Sequence, residues 1–196
     1  MDFNESNIKD HIPYYLSKEQ KDNMVKAIKQ FPYVDYYINQ HMQDLLQGDI
    51  WTSLEVYDPN TKNSKKIKGI FLSNSCDIDR SNKRYTPTLI TFAPIIKLID
   101  YKRLLNSSDL GENQINNKID NIRKQLISNI FYLPNHHMLQ DEYIALLDDL
   151  HTIRLDQFDA IKEKTKILTL SQIGFYIFIF KLSVHFCRLH ESVDRS

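Results

Sequence analysis

The hydrophobic pattern of the chain changes at Asp49 from a helical repeat to a strand repeat. From Ile50 to Tyr57 the chain follows a two-residue alternation, and the turn-forming residues at 58–60 then end it. Because successive side chains of a strand point to opposite faces, this alternation predicts a β-strand with one face on a core. Helical periodicity followed by this repeat limits the chain to folds that combine helices with a sheet.

Two further apolar runs predict a meander with this strand. One run is Gly69–Ser73, and the other is Thr88–Ala93, which Pro94 is expected to end. Shorter runs at 131–134 and 143–147 predict additional strands. Sequential strands commonly lie side by side, so we expect an antiparallel sheet.

Helices are predicted before the first strand. Ser17 and Gln20 form a capping box that starts one helix, which Pro32 ends. A second helix is predicted over 33–47, where apolar residues fall on one stripe and Gly48 supplies a C-terminal stop. Residues 1–47 are therefore expected to form a helical extension.

Two more helices are predicted later in the chain. Apolar residues recur at helical spacing over 113–129, which indicates a helix inserted between strands. A final helix begins at Ser171 and is apolar nearly all round, which is typical of a helix buried on several sides. The aromatic side chains of this helix, including Phe175, Tyr176, Phe178 and Phe180, are interpreted as core or subunit interface.

Composition narrows the function classes. Lys+Arg and Asp+Glu both number 25, so the net charge is zero and any binding of phosphates has to be local. Cys76 and Cys187 have no metal-ligand or redox spacing and are interpreted as reduced thiols. The N-terminus lacks the pattern of a secretion signal, and the apolar stretch Ile173–Leu189 is interrupted by charged residues. We therefore predict a cytoplasmic protein with no membrane span.

Local basic segments are the candidates for RNA binding. One basic loop precedes the second strand and another follows it, and the second also contains Tyr85 as a stacking surface. The predicted RNA-binding residues are Lys62, Lys65, Lys66, Arg80, Lys83 and Arg84. The alternative is that both segments are solvated turns, and proximity of the two would favour the RNA-binding interpretation.

The segment Ser73–Asp77 stands at the end of an apolar strand, where scaffolds commonly present functional side chains. Cys76 beside a carboxylate could be a nucleophile if His136 or His137 came within reach as a base. The alternative, which we favour, is a small buried thiol with Asp77 capping the following turn.

Histidines and carboxylates also cluster late in the sequence, at His136, His137, Asp141, Glu142, Asp148, Asp149 and His151. Imidazole and carboxylate are common metal ligands, but adjacent residues of an extended segment point to opposite sides. We therefore predict no metal. His136 is the better candidate for a general acid or base, because neutral imidazole titrates near working pH.

The order of several short motifs resembles the small β-barrel of the PemK/MazF family. Gly48–Trp51, Ile70–Asn74 and Thr91–Ile95 are similar to the three opening strands of that family. Leu147–Ile153, and then Ile167–Ser171 leading into the last helix, are similar to the segments that close its barrel. The resemblance implies an α+β fold in which residues 48–196 form an antiparallel barrel, with a helical insertion at about 101–129 and a long apolar C-terminal helix.

The resemblance also implies a function. Members of this family cleave single-stranded RNA without a metal ion, and a partner antitoxin silences them. The resemblance thus implies an RNA-binding or RNA-cleaving homodimer of a microbial toxin–antitoxin or phage-defence system, with single-stranded RNA and an antitoxin as partners and no cofactor. By chemistry and position, Lys68, Asp77 and His136 are the predicted catalytic residues.

Two positions depart from the pattern of the family. Its chemistry relies on an Arg just before the second strand and on a Ser or Thr after the Pro-Ile pair, and Ile67 and Ile96 stand there in this chain. Lys68 could supply positive charge, although an ammonium lacks the planar fork of a guanidinium. The alternative function is a catalytically inactive barrel that binds a protein partner through its N-terminal helices.

Overall fold

A computed structural model describes residues 17–19, 22–23, 25–26, 35–82 and 84–187. Within these residues the protein is α+β, with one antiparallel sheet and helices packed around it. The strands are β1 (Tyr37–Ile38), β2 (Ile50–Asp58), β3 (Asn63–Phe71), β4 (Leu89–Lys97), β5 (Ile130–Leu133), β6 (Tyr143–Leu146), β7 (His151–Arg154) and β8 (Lys166–Leu170). The helices are α1 (Leu98–Asn106), α2 (Glu112–Arg123), α3 (Leu155–Ala160) and α4 (Gln172–Cys187).

The sheet confirms the predicted meander and extends it. The strands lie in the order β1-β8-β2-β3-β4-β6-β5, and β7 pairs with β4 beside β6. β2 contains a register shift between Trp51 and Leu54, where Ser53 has a φ of 60°. Such a bulge bends the strand and increases its twist, so the β2–β3 hairpin curls over the core formed with β7 and α3.

The predicted closed barrel is wrong, because the sheet is open in the described part of the chain. β1 and β5 are its two ends, and no ladder joins them there. Side chains span the gap instead: the Tyr36 hydroxyl donates to the Tyr132 carbonyl at 3.3 Å, and the Tyr37 hydroxyl donates to the Pro134 carbonyl at 2.9 Å. The sheet therefore curls far enough for side chains at its two ends to contact each other.

The predicted second helix over 33–47 is also wrong for the residues that can be described. Tyr37 pairs with Leu170 of β8, and the Ser171 amide donates to the Tyr36 carbonyl. These residues form a short strand in spite of their helical spacing, because the backbone groups at the edge of β8 need hydrogen-bond partners. The predicted first helix is only partly described: residues 18–19, 22–23 and 25–26 are helical, and Gln20 and Pro32 lie outside the described residues.

A buried ion pair holds the segment that follows β1. Lys166 Nζ lies 2.7 Å from Asp49 Oδ2, and both side chains are almost completely buried, at 2% and 0% exposure. Lys166 also donates to the carbonyls of His41 and Asp44. Asp49 accepts hydrogen bonds from the Leu46 amide and the Thr169 hydroxyl. The segment between β1 and β2 is therefore fastened by polar contacts instead of helical turns.

Two strands are longer than the sequence indicated. β3 begins at Asn63, so Lys65, Lys66 and Lys68 lie in a strand and the predicted basic loop is wrong. β4 continues through Pro94 to Lys97. Pro94 is tolerated because it lies between the part of β4 that pairs with β7 and the part that pairs with β6. On that side of β4 no ladder needs the missing N–H.

The predicted insertion contains two helices instead of one. α2 ends at Arg123 rather than near residue 129, and α1 follows β4 directly. Both helices pack on the face of β4, β5 and β6 that carries Ile96, Tyr132 and Ile144. The apolar side chains of the two helices and of this face form a hydrophobic cluster that is separate from the main core.

The last helix, α4, begins one residue after Ser171 and packs on the main core through Ile177 and Phe178. Gly174 permits a close approach to β1, because a Cβ there would lie 2.4 Å from the Tyr36 carbonyl oxygen. Val25 packs against a second patch of α4 around Tyr176. No helix among the described residues has the length and apolar character that a membrane span requires.

Candidate nucleic-acid interface and reaction centre

An open groove with a volume of about 490 Å³ lies where β7 meets the loop after β3. Arg154 pairs with Leu89 in the β4–β7 ladder, and the Leu155 amide donates to the Thr88 carbonyl. These contacts place Arg154 beside Arg80 and Arg84, and all three guanidinium groups line the groove. We call it the arginine groove. The structure therefore brings two predicted RNA-binding residues together and adds a third cation.

Tyr85 lines the same groove and is fully exposed. An exposed aromatic ring beside cations is the arrangement with which proteins stack the bases of single strands while contacting the backbone phosphates. The position agrees with the predicted stacking role of Tyr85, which stays a prediction. Lys83 lies outside the described residues.

Each arginine of the groove is paired with a carboxylate. Arg80 donates to both oxygens of Asp159, at 3.2 and 2.7 Å, and Arg154 donates to both oxygens of Asp156, at 3.0 and 2.6 Å. Arg84 donates to Asp77 at 2.7 Å. The hydrogen bond from Arg154 lowers the pKa of Asp156 below its ordinary value. The described part of the groove therefore carries balanced charge.

Lys66 lies in a neighbouring groove of about 660 Å³, between the β2–β3 hairpin and the segment 152–163. Its ammonium forms an ion pair with Glu163, which raises the pKa of Lys66. Lys65 directly precedes Lys66 in β3 and therefore points to the other face of the strand. Lys62 lies in the hairpin turn, and the side chains of Lys65 and Lys62 are both exposed. The two basic segments thus border the same β7–α3 segment without merging into one site.

A second group of polar and charged side chains lies where β3, β4 and β6 adjoin. Lys68 Nζ donates to the Tyr143 hydroxyl at 2.9 Å and lies 4.9 Å from the centroid of the Tyr143 ring. Tyr143 pairs with Lys97 across the β4–β6 ladder, and Lys97 Nζ lies 2.7 Å from Asp141. We call these four residues the lysine–tyrosine cluster. It combines two cations, a phenol and a carboxylate on one face of the sheet.

His136 lies in the loop that also carries Asp141, between β5 and β6. Its ring contacts Tyr37 at 5.3 Å and His137 at 3.9 Å, measured between ring centroids. The expectation that the two histidines point to opposite sides is therefore wrong, because a turn closes after His136 and brings their rings together. Partial burial, followed by the effect of His137, lowers the pKa of His136, so the imidazole is neutral at pH 7.

The predicted catalytic residues do not form one site in the described part of the chain. Lys68 contacts Tyr143, His136 contacts Tyr37, and Asp77 lies beside Arg84 but is not among the residues that line the arginine groove. Asp77 pairs with Arg84, while the turn after β3 is capped by Asn74, whose side chain accepts from the Cys76 amide. Cys76 itself is exposed, so the interpretation of a buried thiol is wrong.

The late carboxylates have structural partners. Glu142 accepts two hydrogen bonds from Arg123 and one from the Tyr132 hydroxyl, and Asp149 lies 3.0 Å from His151. Within the described residues, no group of three or more His, Cys, Asp or Glu side chains has the geometry to hold a metal ion.

Sequence reasoning missed Arg154, Lys97 and Tyr143 as members of these two groups of side chains. Each reaches its site through a pairing between distant segments, namely β4 with β7 and β4 with β6. A local signal existed only for Tyr143, which begins an apolar run. Comparison with known protein families found no match, and no curated protein has significant similarity to this chain.

Proposed function

We propose that the protein binds single-stranded RNA and cleaves it without a metal ion, in a toxin–antitoxin or phage-defence setting. The observation that carries this proposal is the lysine–tyrosine cluster, in which Lys68, Tyr143, Lys97 and Asp141 converge. Lys68 and Lys97 directly follow Ile67 and Ile96, the positions at which the PemK/MazF resemblance implies catalysis. Adjacent residues of a strand point to opposite faces, so the cluster would place its catalytic groups on the other face of the sheet from those two positions. The toxin–antitoxin or phage-defence setting and the family are inferred from that resemblance. The mechanism of cleavage is inferred from the side chains of the cluster.

The cluster has the groups that metal-independent phosphodiester cleavage requires. Lys68 and Lys97 can stabilise the negative charge that develops on phosphorus-bound oxygens. Because no metal ion activates water in this scheme, we expect the 2′-hydroxyl of the RNA to be the nucleophile. It gives its proton to a base, forms a bond to phosphorus and expels the 5′-oxygen, which takes a proton from the Tyr143 hydroxyl. The base then returns its proton to Tyr143. Asp141 is the proton acceptor that the cluster offers, whereas His136 of the same loop lies against Tyr37.

The first experiment is to incubate the protein with a pool of single-stranded RNA in EDTA and to sequence the fragment ends. We expect discrete cuts that leave cyclic phosphate ends, and no cut where the preceding nucleotide is 2′-deoxy. Lys68→Ala and Tyr143→Phe should lose cleavage, whereas Lys124→Ala, at an exposed lysine at the end of α2, is the matched control. Intact RNA with the wild-type protein would remove the cleavage proposal.

A second candidate function is a protein-binding module without catalysis. The balanced charge of the arginine groove favours it, since basic residues that are already paired attract phosphates weakly. Ile67 and Ile96, which stand where the resemblance implies an Arg and a Ser or Thr, also favour a protein without catalysis. This function predicts neither cleavage nor retention of RNA at low salt, and retention that depends on Arg154 would exclude it.

A further inference from the structure

The arginine groove has an unusual charge arrangement for a phosphate-binding surface. Arg80, Arg84 and Arg154 line it together with Asp156 and Asp159, and Asp77 pairs with Arg84. A guanidinium paired with a carboxylate uses the same fork that binds a phosphate. The carboxylates therefore occupy the positions that phosphate oxygens would take.

These ion pairs are exposed, which makes them exchangeable. The six side chains are between 40% and 66% exposed. Exposed ion pairs contribute little to stability because water screens them, so breaking one to bind a ligand has a small cost. By contrast, a ligand that presents several phosphates in a row can replace several carboxylates in one binding event.

From this arrangement we propose that Asp77, Asp156 and Asp159 act as an internal competitor for the phosphates of RNA. The inference rests on the proposed RNA-binding function and defines how its binding surface is regulated. The carboxylates hold the three guanidinium groups in place and keep the groove neutral until a strand with consecutive phosphates displaces them. The groove therefore selects a single-stranded polynucleotide over a mononucleotide, with Tyr85 as the stacking surface for a base.

Mutating a binding site usually weakens binding, but here replacing the carboxylates should tighten it. Asp156→Asn and Asp159→Asn remove negative charge without changing side-chain size, and each should tighten RNA binding by up to about fivefold. The double variant should gain more and should show a steeper decline of affinity with salt, because more phosphate contacts become net favourable. Arg154→Gln should weaken binding.

The matched control is Asp100→Asn. Asp100 forms an exposed ion pair with Arg103 at 2.7 Å on α1, and neither residue lines the groove. Affinity is measured by fluorescence anisotropy with a labelled 2′-O-methyl oligoribonucleotide, which cannot be cleaved by its own 2′-oxygen. Adenosine monophosphate is the competitor, and we expect it to bind at least about tenfold more weakly than the oligonucleotide.

The outcomes separate this inference from the function on which it rests. Tighter binding by the Asp variants, with no change for Asp100→Asn, supports internal competition. Unchanged or weaker binding by the Asp variants overturns it while leaving RNA binding in place. Equal affinity for the monophosphate overturns the selection of polynucleotides. If neither the wild type nor any variant binds RNA at low salt, the proposed function itself fails.

Discussion

The protein uses ion pairs in two opposite ways. Asp49 and Lys166 are almost completely buried and join the segment after β1 to β8. Arg80–Asp159 and Arg154–Asp156 have equally short contacts but lie exposed in the arginine groove. A buried charge that loses its partner is costly, whereas an exposed one is promptly rehydrated. The same kind of ion pair therefore serves structure in one region and, in the function that we propose, ligand exchange in the other.

The largest expected effect comes from breaking the buried pair. Asp49→Ala should lower the free energy of unfolding by about 3–5 kcal/mol, because it leaves the Lys166 ammonium buried without its carboxylate. Urea denaturation followed by circular dichroism measures the change. The paired variant Asp49→Ala with Lys166→Met should recover part of the loss, since it removes the orphaned charge as well. A loss below about 1 kcal/mol would contradict the structural role.

The lysine–tyrosine cluster stands between these extremes, because Lys68 is half-buried and has a neutral partner. Lys68→Ala should lower the rate of RNA cleavage by about 10²–10³-fold, the loss typical of removing one stabiliser of transition-state charge. Its effect on stability should be much smaller than that of Asp49→Ala. Cleavage rates with saturating RNA, compared with those of Lys124→Ala, measure the difference. Equal rates for Lys68→Ala and Lys124→Ala would place catalysis elsewhere.

Lys181 is a second buried lysine, but its hydrogen-bond partner is a backbone carbonyl, whereas Lys166 pairs with a carboxylate. Its ammonium donates to the Gln125 carbonyl at 2.6 Å, and burial lowers the pKa of Lys181 from 10.5 to about 7. Between these two values the unfolded chain binds more protons than the folded protein, so stability should rise with pH across this range. Below about pH 7 both states are protonated and the cost of burial is fully present.

Lys181→Met tests this explanation. It should raise the free energy of unfolding at pH 7 by about 1–2 kcal/mol, after allowance for the lost hydrogen bond to Gln125. It should also flatten the rise in stability between pH 7 and 10.5 that the wild type shows. Urea denaturation at several pH values measures both effects. A slope that is unchanged in the variant would show that another group titrates there.

Much of the fold could be predicted because strand alternation and helix spacing are local. The meander of β2, β3 and β4 followed from two-residue repeats and turn residues. The segment 33–47 could not be predicted, since its apolar residues fit a helical stripe and only the open edge of β8 selects a strand at Tyr37. Sequence reasoning of this kind fails where a distant segment decides the local structure.

The candidate site follows the same rule. Arg80, Arg84 and Tyr85 lie within one loop, so composition alone indicated a basic aromatic surface. Arg154 joins them only through the register of β7 on β4, and Lys97 joins Tyr143 only through the register of β6 on β4. The carboxylate partners were equally invisible, because Asp159 follows Arg80 by 79 positions.

The smallest expected effect is on the stability of the exposed pairs. Asp156→Asn and Asp159→Asn should each leave the free energy of unfolding nearly unchanged, since hydrated charges contribute little to the folded state. Urea denaturation of these variants and of Asp49→Ala compares the free energy of unfolding that the exposed and the buried ion pairs contribute. A loss near that of the buried pair would mean that the arginines fasten the loop after β3 to α3. The groove would then be rigid, and RNA phosphates could not displace its carboxylates at small cost.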